Sequence, residues 1–204
     1  MLAGGPSVRD LDLSLLRGFR VIAINRSGAT WPDADALFWM DTTFENEHRA
    51  LIENFAGMRV SNAPGPARWG IRRADAPRGH GDAAEPFCCE RSKLFRRHTA
   101  TSGAGNLAVH LGIRRIGLLG VDLDFGADGA CHHHAPYAKH RGKSPEKWRE
   151  TWDNHLRELT ALAPVMRRIG VEVINCSLKS RLAAFPKREF AAVAAEWRKT
   201  SRAA

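Results

Sequence analysis

Short apolar runs alternate along the chain with segments in which apolar residues recur at helical spacing. The runs are rich in β-branched residues or end in a polar residue, which is typical of buried strands. They cover residues 1–3, 20–25, 35–41, 58–61, 115–120 and 171–175. The helical spacing covers residues 8–16, 106–111, 145–169 and 188–198. This alternation predicts an α/β fold with a mostly parallel sheet.

Two segments lack periodicity. Residues 64–97 contain four prolines among glycine and arginine and are interpreted as a loop-rich insertion, and residues 126–144 form a loop rich in glycine and histidine. Because loops of this length are more often functional than inert, both are of interest for a binding site. The length of 204 residues suits one domain over residues 1–204.

The charge balance concerns partners rather than fold. The chain has 31 Lys and Arg against 22 Asp and Glu, a net charge of +9. Such an excess fits nucleic acid, a phosphorylated small molecule, or arginines that are simply solvated. The basic residues are dispersed in pairs rather than in a run, so nucleic acid is possible but not favoured.

The expected compartment is the cytoplasm. No window reaches the roughly 18 apolar residues of a membrane span, and no basic and apolar leader opens the chain. The four cysteines show no CxxC spacing, so we expect reduced thiols rather than disulfides. The sequence leaves the oligomeric state open.

Small and polar residues follow nearly every predicted strand. Because ligands bind beyond the carboxyl ends of parallel strands, these residues are candidates for one site. They are Gly4, Gly5, Pro6, Ser7, Asn25, Asp41, Gly120, Asp122 and Asp124. A second glycine-containing helix entrance holds Ser102, Gly103 and Asn106. Two helix N-termini at one crevice would suit phosphates, although neither segment has a complete dinucleotide or P-loop motif.

The segment from Cys131 to His134 offers several kinds of chemistry. A histidine here would serve as a general base or contact a leaving group, since imidazole transfers protons near neutral pH. The alternatives are a solvated loop, or a zinc site completed by Asp122, Asp124 or His140. Four basic residues nearby could neutralise a leaving phosphate: Lys139, His140, Arg141 and Lys143.

The order of these motifs resembles a known group of proteins. The segments are GGPSVRDLD, VIAIN, TSG followed by AVHLGIRRIGLLGVD, and VEVINCS followed by SRLAAFP. They resemble a phage-type domain family of unknown function, related to the archaeal 6-hydroxymethylpterin diphosphokinase and to flagellin motility accessory factors. Their order is also similar to that of the bacterial sialyltransferases that use CMP-sialic acid.

The resemblance implies a Rossmann-like fold, with helices on both faces of the sheet, that holds a nucleotide donor. It places Gly5, Pro6 and Ser7 by the phosphate or sugar, and Asn25 by the cytidine or phosphate. It further implies that Ser102 and Gly103 contact the sugar or its carboxylate, and that Gly120 and Asp122 line the nucleoside pocket. Residues 126–144 would then be a lid-like loop.

The resemblance also implies a catalytic histidine in that loop, for which we take His134 or His132. The sialyltransferases hold the departing phosphate with two tyrosines, whereas this chain has one, Tyr137. The triplet of residues 132–134 fits the His-x-His pattern of the phage-type group better.

Three functions follow as hypotheses. The first is a transferase with a nucleotide-activated donor, most simply a sialyltransferase-like glycosyltransferase that needs no cofactor. The second is diphosphate transfer from ATP to a pterin-like alcohol, which needs Mg²⁺ and has Asp122 and Asp124 as candidate ligands. The third is a non-catalytic protein that binds a nucleotide or nucleic acid.

Overall fold

The computed structural model describes residues 1–76, 85–135, 137 and 142–202. Within these residues, six strands pair in parallel, four in one sheet and two in another. The strands are β1 Ile22–Ile24, β2 Ala36–Trp39, β3 Met58–Ser61, β4 Arg72–Arg73, β5 Arg115–Leu118 and β6 Glu172–Asn175.

The first residues of the chain join these two groups of strands into one continuous sheet. Leu2 forms parallel bridges to Ala23 on one side and to Leu119 on the other. The Leu2 amide donates to Ile22 O at 2.9 Å, and the Ala3 amide donates to Leu119 O at 2.8 Å. The order across the sheet is therefore β4-β3-β2-β1, residues 1–3, β5 and β6.

In the part of the chain that the structure describes, six α-helices connect and cover these strands. They are α1 Ser27–Thr30, α2 Thr42–Glu47, α3 Arg49–Asn54, α4 Ala100–His110, α5 Pro145–Arg168 and α6 Phe190–Arg202. The long helix α5 begins after Ser144, whose hydroxyl accepts from the Lys147 amide, and has Pro145 in its first turn. Gly170 follows its end with φ of +70°. None of the helices in the described ranges is long and apolar enough to cross a bilayer.

Apolar side chains pack on both faces of the sheet. Within β2, Phe38 belongs to the cluster formed with α4 and α5, whereas Leu37 and Trp39 belong to the cluster formed with α2, α3 and α6. Successive side chains of a strand point to opposite faces, so a continuous apolar run indicates a strand covered on both sides. This confirms the expected α/β class with a mostly parallel sheet and helices on both faces.

Two predicted helices have different bounds. Residues 8–16 form two 3-10 turns, Pro6–Asp10 and Leu13–Leu16, because the Asp12 side chain accepts from the Ser14 amide and starts a second turn. The helix predicted over 106–111 begins at Ala100 instead, since the Thr99 hydroxyl accepts from the Thr101 amide and caps it there. The loop-rich segment 64–97 holds β4 and an isolated bridge in its described part.

Candidate functional site

A cavity of about 360 Å³ lies at the carboxyl edge of the sheet. The chain proceeds from residues 1–3 outward through β1 to β4, then returns to place β5 and β6 on the other side. The cavity lies where this order reverses, which is where open α/β sheets bind ligands. Its volume is within the range of small-molecule sites.

Most of the predicted site residues line this cavity. Those that do are Gly4, Gly5, Pro6, Asn25, Asp41, Gly120, Asp122, Asp124 and His132. Ser7, Ser102, Gly103, Asn106 and His134 are not part of the lining. The strand ends therefore come together as the sequence indicated, whereas the second helix entrance contributes other residues.

Asp122 and Ser7 bind each other beside the cavity. The Ser7 amide donates to Asp122 Oδ2 at 2.7 Å, and the Ser7 hydroxyl donates to Asp122 Oδ1 at 2.6 Å. Ser177 completes the network, because its hydroxyl oxygen accepts from the Gly120 and Val121 amides. The backbone amide and the hydroxyl of Ser7 could bind a phosphate, but both already donate to the Asp122 carboxylate.

Two glycines make this close packing possible. A Cβ on Gly5 would lie 2.4 Å from Asp122 Oδ2 and 2.5 Å from the Gly120 carbonyl oxygen. Gly120 has φ of +70°, and a Cβ there would lie 2.5 Å from Val8 Cγ2. Gly5 is therefore required by this close approach and Gly120 by its positive φ as well, independently of any ligand.

Asn25 lines the cavity and carries a buried polar atom without a partner in the described residues. It follows β1 with φ of +53°, a left-handed conformation that few residues other than glycine adopt. Its Oδ1 atom is buried and has no hydrogen-bond partner within the described part of the chain. Because a buried polar atom without a partner costs free energy, Asn25 is a strong candidate for ligand contact.

The start of α4 reaches the cavity through residues 98–101 rather than through Ser102, Gly103 and Asn106. Ser102 is fully buried, and its hydroxyl contacts Glu158 and the Thr99 carbonyl. Asn106 Oδ1 accepts from the Cys88 and Phe95 amides, each at 3.0 Å. These two side chains thus hold neighbouring segments together.

Gly103 also belongs to the packing of the helix. A Cβ there would lie 2.8 Å from Phe38 Cζ and 2.9 Å from the Phe95 carbonyl oxygen. Gly103 therefore lets α4 approach the sheet closely and contributes nothing to the cavity lining.

The three consecutive histidines point in two directions. The rings of His132 and His134 stack with centroids 4.9 Å apart and an interplanar angle of 14°. The ring of His133 lies elsewhere, with Nε2 at 2.9 Å from Thr30 Oγ1, and its amide donates to Gly4 O at 3.1 Å. His133 therefore anchors the loop, and His132 is the histidine of the triplet that lines the cavity.

His134 lies behind His132 as a neutral ring. Its Nδ1 lies 2.9 Å from the Ala135 carbonyl oxygen, which can only accept, so Nδ1 carries the proton. Its Nε2 is buried, 3.2 Å from the point that a Cβ on Gly4 would occupy. Burial lowers the pKa of His134 to about 3, and burial also lowers the pKa of His133.

One face of α5 forms the opposite wall. Trp148, Thr151, Trp152 and His155 all line the cavity, at the i, i+3, i+4 and i+7 spacing of a single helix face. The two indoles stack with centroids 5.4 Å apart, and Lys143 Nζ lies 4.3 Å from the centroid of Trp148. Burial lowers the pKa of His155 to about 4, so this imidazole is also neutral near pH 7.

Trp148 and Trp152 belong to the apolar stripe of the helix predicted over residues 145–169, which predicts a place in the core, whereas His155 has no such sequence-based prediction. The two indoles are indeed buried, with 7% and 5% of their surface exposed. The sequence does contain a signal for this wall, because Thr151 and His155 are polar residues on the same helix face as the apolar stripe. His98 and Thr101, at the start of α4, were likewise not identified.

The two candidate magnesium ligands, Asp122 and Asp124, both have hydrogen-bond partners within the chain. Both oxygens of Asp122 accept from Ser7, and Asp124 Oδ1 accepts from the Phe125 amide. Across the described ranges, no three His, Cys, Asp or Glu side chains come together in a metal-binding arrangement. His140, which would have completed a zinc site, lies outside the described residues, as do Lys139 and Arg141.

A larger cavity of about 690 Å³ lies at the opposite edge of the sheet. Its lining is mostly apolar and includes Leu16, Phe19 and Trp197. It holds none of the predicted site residues and opens at the amino ends of the strands. The smaller cavity is therefore the better candidate, because it has convergent polar groups.

Comparison of the chain with family models, with curated proteins and with solved structures finds no match.

Proposed function

We propose that this chain is a transferase that uses a nucleotide-activated donor, most simply a glycosyltransferase. One observation carries the proposal. The cavity lies at the switch point, where the strand order reverses, and there the ends of several strands meet a histidine of the overlying loop. The strand ends supply Gly4, Gly5 and Asn25, and the loop supplies His132. The resemblance in motif order to nucleotide-dependent transferases supports the same function.

His132 is the proposed general base. In the reaction, the acceptor hydroxyl loses its proton to His132, and its oxygen bonds to the anomeric carbon of the donor. The bond from that carbon to the phosphate oxygen breaks, and the nucleotide leaves with the electron pair. This displacement needs positioning and charge neutralisation more than covalent chemistry.

The contacts of His132 and Lys143 support these roles. The stacked ring of His134 and the edge of Trp148, with its centroid 5.4 Å away, hold the His132 ring in place. Lys143 donates to Thr151 Oγ1 at 2.6 Å, so a cation lies beside the cavity wall. Lys143 would help to neutralise the departing phosphate.

Thermal denaturation with millimolar CMP, CDP, UDP and ADP tests donor binding. We expect at least one nucleotide to raise Tm, because a ligand that binds the native state alone stabilises it by mass action. No stabilisation by any nucleotide would contradict the proposal.

Nucleotide release from a panel of nucleotide-activated sugars tests the role of the base. His132→Ala is expected to retain the Tm increase and to lose turnover by about 10²–10⁴-fold, the usual contribution of a general base. His110→Gln, at the other end of α4, is the control and should keep both. Full turnover in His132→Ala would exclude His132 as the base.

A further inference from the structure

The charges lining the cavity raise a question about where a phosphate would lie. Three carboxylates line it, those of Asp41, Asp122 and Asp124. Among the described lining residues there is no arginine or lysine. A phosphate placed against these carboxylates would be repelled, so the cations that bind it should lie next to the cavity rather than in its lining.

A second concave surface adjoins the cavity at His98, which lines both. We call it the arginine groove; its volume is about 450 Å³. It lies between the end of the loop-rich segment and the outer side of α5. Its lining comprises Pro86, Arg97, His98, Asn154, Arg157, Glu158 and Ala161.

The one carboxylate of this groove is already engaged. Glu158 is 4% exposed, its Oε2 accepts from the His98 amide at 2.8 Å, and its Oε1 accepts from the Ser102 hydroxyl. It thereby compensates the positive end of α4. Both oxygens of Glu158 are used by these two contacts, and within the described residues neither of them pairs with Arg157.

Arg157 is the exposed cation of the groove. It donates to Asn154 Oδ1, one turn earlier on α5, and forms no ion pair with any residue in the described ranges. The neutral Asn154 side chain orients the guanidinium without neutralising it. A guanidinium held in this way can bind phosphate through two parallel hydrogen bonds.

We propose that the arginine groove binds a phosphate group of the ligand whose remainder occupies the cavity. This inference rests on the proposed function for the identity of the ligand, a nucleotide donor. The group bound in the groove is an anion that Arg157 recognises, and Asn154 and His98 are the polar residues beside it. The groove would thus supply the cationic site that the cavity lining lacks.

Isothermal titration with CMP and with cytidine tests the proposal, because the two ligands differ by the phosphate alone. Arg157→Gln should weaken CMP binding by about tenfold or more, as expected for a charge-assisted hydrogen bond, and leave cytidine binding unchanged. Arg157→Lys should give an intermediate loss, because it retains the charge but not the fork. Arg167→Gln, an exposed arginine on the same helix, controls for the change in net charge.

The outcomes separate this inference from the proposed function. If Arg157→Gln weakens CMP and cytidine binding equally, or if Arg167→Gln has the same effect as Arg157→Gln, the arginine groove does not bind the phosphate. Either result leaves the proposed donor binding intact. If the wild-type chain binds neither ligand, the proposed donor is wrong. Titration with inorganic phosphate then tests whether the arginine groove binds phosphate. Phosphate binding that Arg157→Gln abolishes would support it, and phosphate binding that is absent or insensitive to Arg157→Gln would overturn it.

Discussion

Gly5, Ser7, Gly120 and Asp122 act as one unit, although 115 positions separate Ser7 from Asp122 in the chain. Each of them follows a predicted strand, and because parallel strands end at one edge of a sheet, the sequence predicts that they lie together. It could not show that Ser7 and Asp122 bind each other rather than a ligand. That outcome depends on a close approach of two loops, which local sequence patterns do not report.

Replacement of Gly5 by alanine should destabilise the protein. The added Cβ would overlap Asp122 Oδ2 and the Gly120 carbonyl oxygen, and overpacking of this kind typically costs about 1–3 kcal/mol. Urea denaturation measures the free energy of unfolding. Gly117→Ala is the control, because its nearest new contact would be 3.7 Å away. Equal losses in the two variants would contradict the role of the close approach.

The buried histidines predict a dependence of stability on pH. Burial lowers the pKa of His134 from 6.5 to about 3, so the unfolded chain binds this proton more readily than the folded one. Its contribution to stability is therefore complete above pH 6.5 and is lost as the pH falls toward 3.

Denaturation between pH 7.5 and 5 tests this dependence. We expect the free energy of unfolding to fall with pH, by at most about 1.4 kcal/mol per pH unit for each such histidine. His134→Gln should show a shallower fall than the wild-type chain. An unchanged slope in His134→Gln would show that its ring is not buried in the neutral form.

At the scale of elements, the histidine-containing loop is held by its backbone. Arg9 donates to the carbonyl oxygens of His132 and His133, at 2.8 and 3.4 Å, and also pairs with Asp128. Arg26 donates to the Ala135 carbonyl oxygen at 2.6 Å. Two arginines from the beginning of the chain thus fix the position of His132 over the cavity.

Removal of the Arg9 contacts should loosen this loop locally. We expect Arg9→Gln to increase amide hydrogen exchange in residues 131–135, with little effect on the strands, because local opening can be independent of global unfolding. Mass spectrometry of peptides measures this exchange. Arg17→Gln, an exposed arginine after the second 3-10 turn, should leave it unchanged. Unchanged exchange in Arg9→Gln would show that other contacts hold the loop.

The long periodic helix was predictable from the sequence, whereas the short helices were not. Helix α5, Pro145–Arg168, has a serine cap, a proline at its start and a regular apolar stripe, so local signals agree. Helices α2 and α3 have six residues each, too few for a clear periodicity, and their existence depends on packing against the sheet. His155, in the cavity wall, was not predicted for a related reason. Tertiary structure decides which part of a buried helix face lies against a cavity.

At the scale of the molecule, part of the positive charge is distributed in ion pairs at the surface. In the described ranges, six arginines pair with an aspartate or glutamate at the surface, in addition to the largely buried pair Arg73–Glu45. The pairs are Arg9–Asp128, Arg20–Asp35, Arg49–Glu53, Arg168–Glu85, Arg181–Asp153 and Arg188–Glu196. Such pairing disperses the charge over many sites instead of concentrating it in one patch.

We therefore expect weak and unspecific binding of nucleic acid. In a gel shift at about 50 mM salt, a protein with several phosphate contacts would bind duplex DNA, and its affinity would fall steeply with added salt. This chain should give no discrete complex under those conditions. A discrete complex with a steep salt dependence would favour the third hypothesis, a nucleic-acid-binding protein, over the transferase.

The central claim is that the cavity at the switch point binds a nucleotide donor. A crystal structure of the protein with CMP tests it most directly, because the structure offers two cavities at opposite edges of the sheet. We expect CMP to lie at the carboxyl ends of the strands, between Gly4–Gly5 and helix α5, within contact of Asn25. CMP bound in the cavity at the amino ends, or no CMP bound at millimolar concentration, would contradict it.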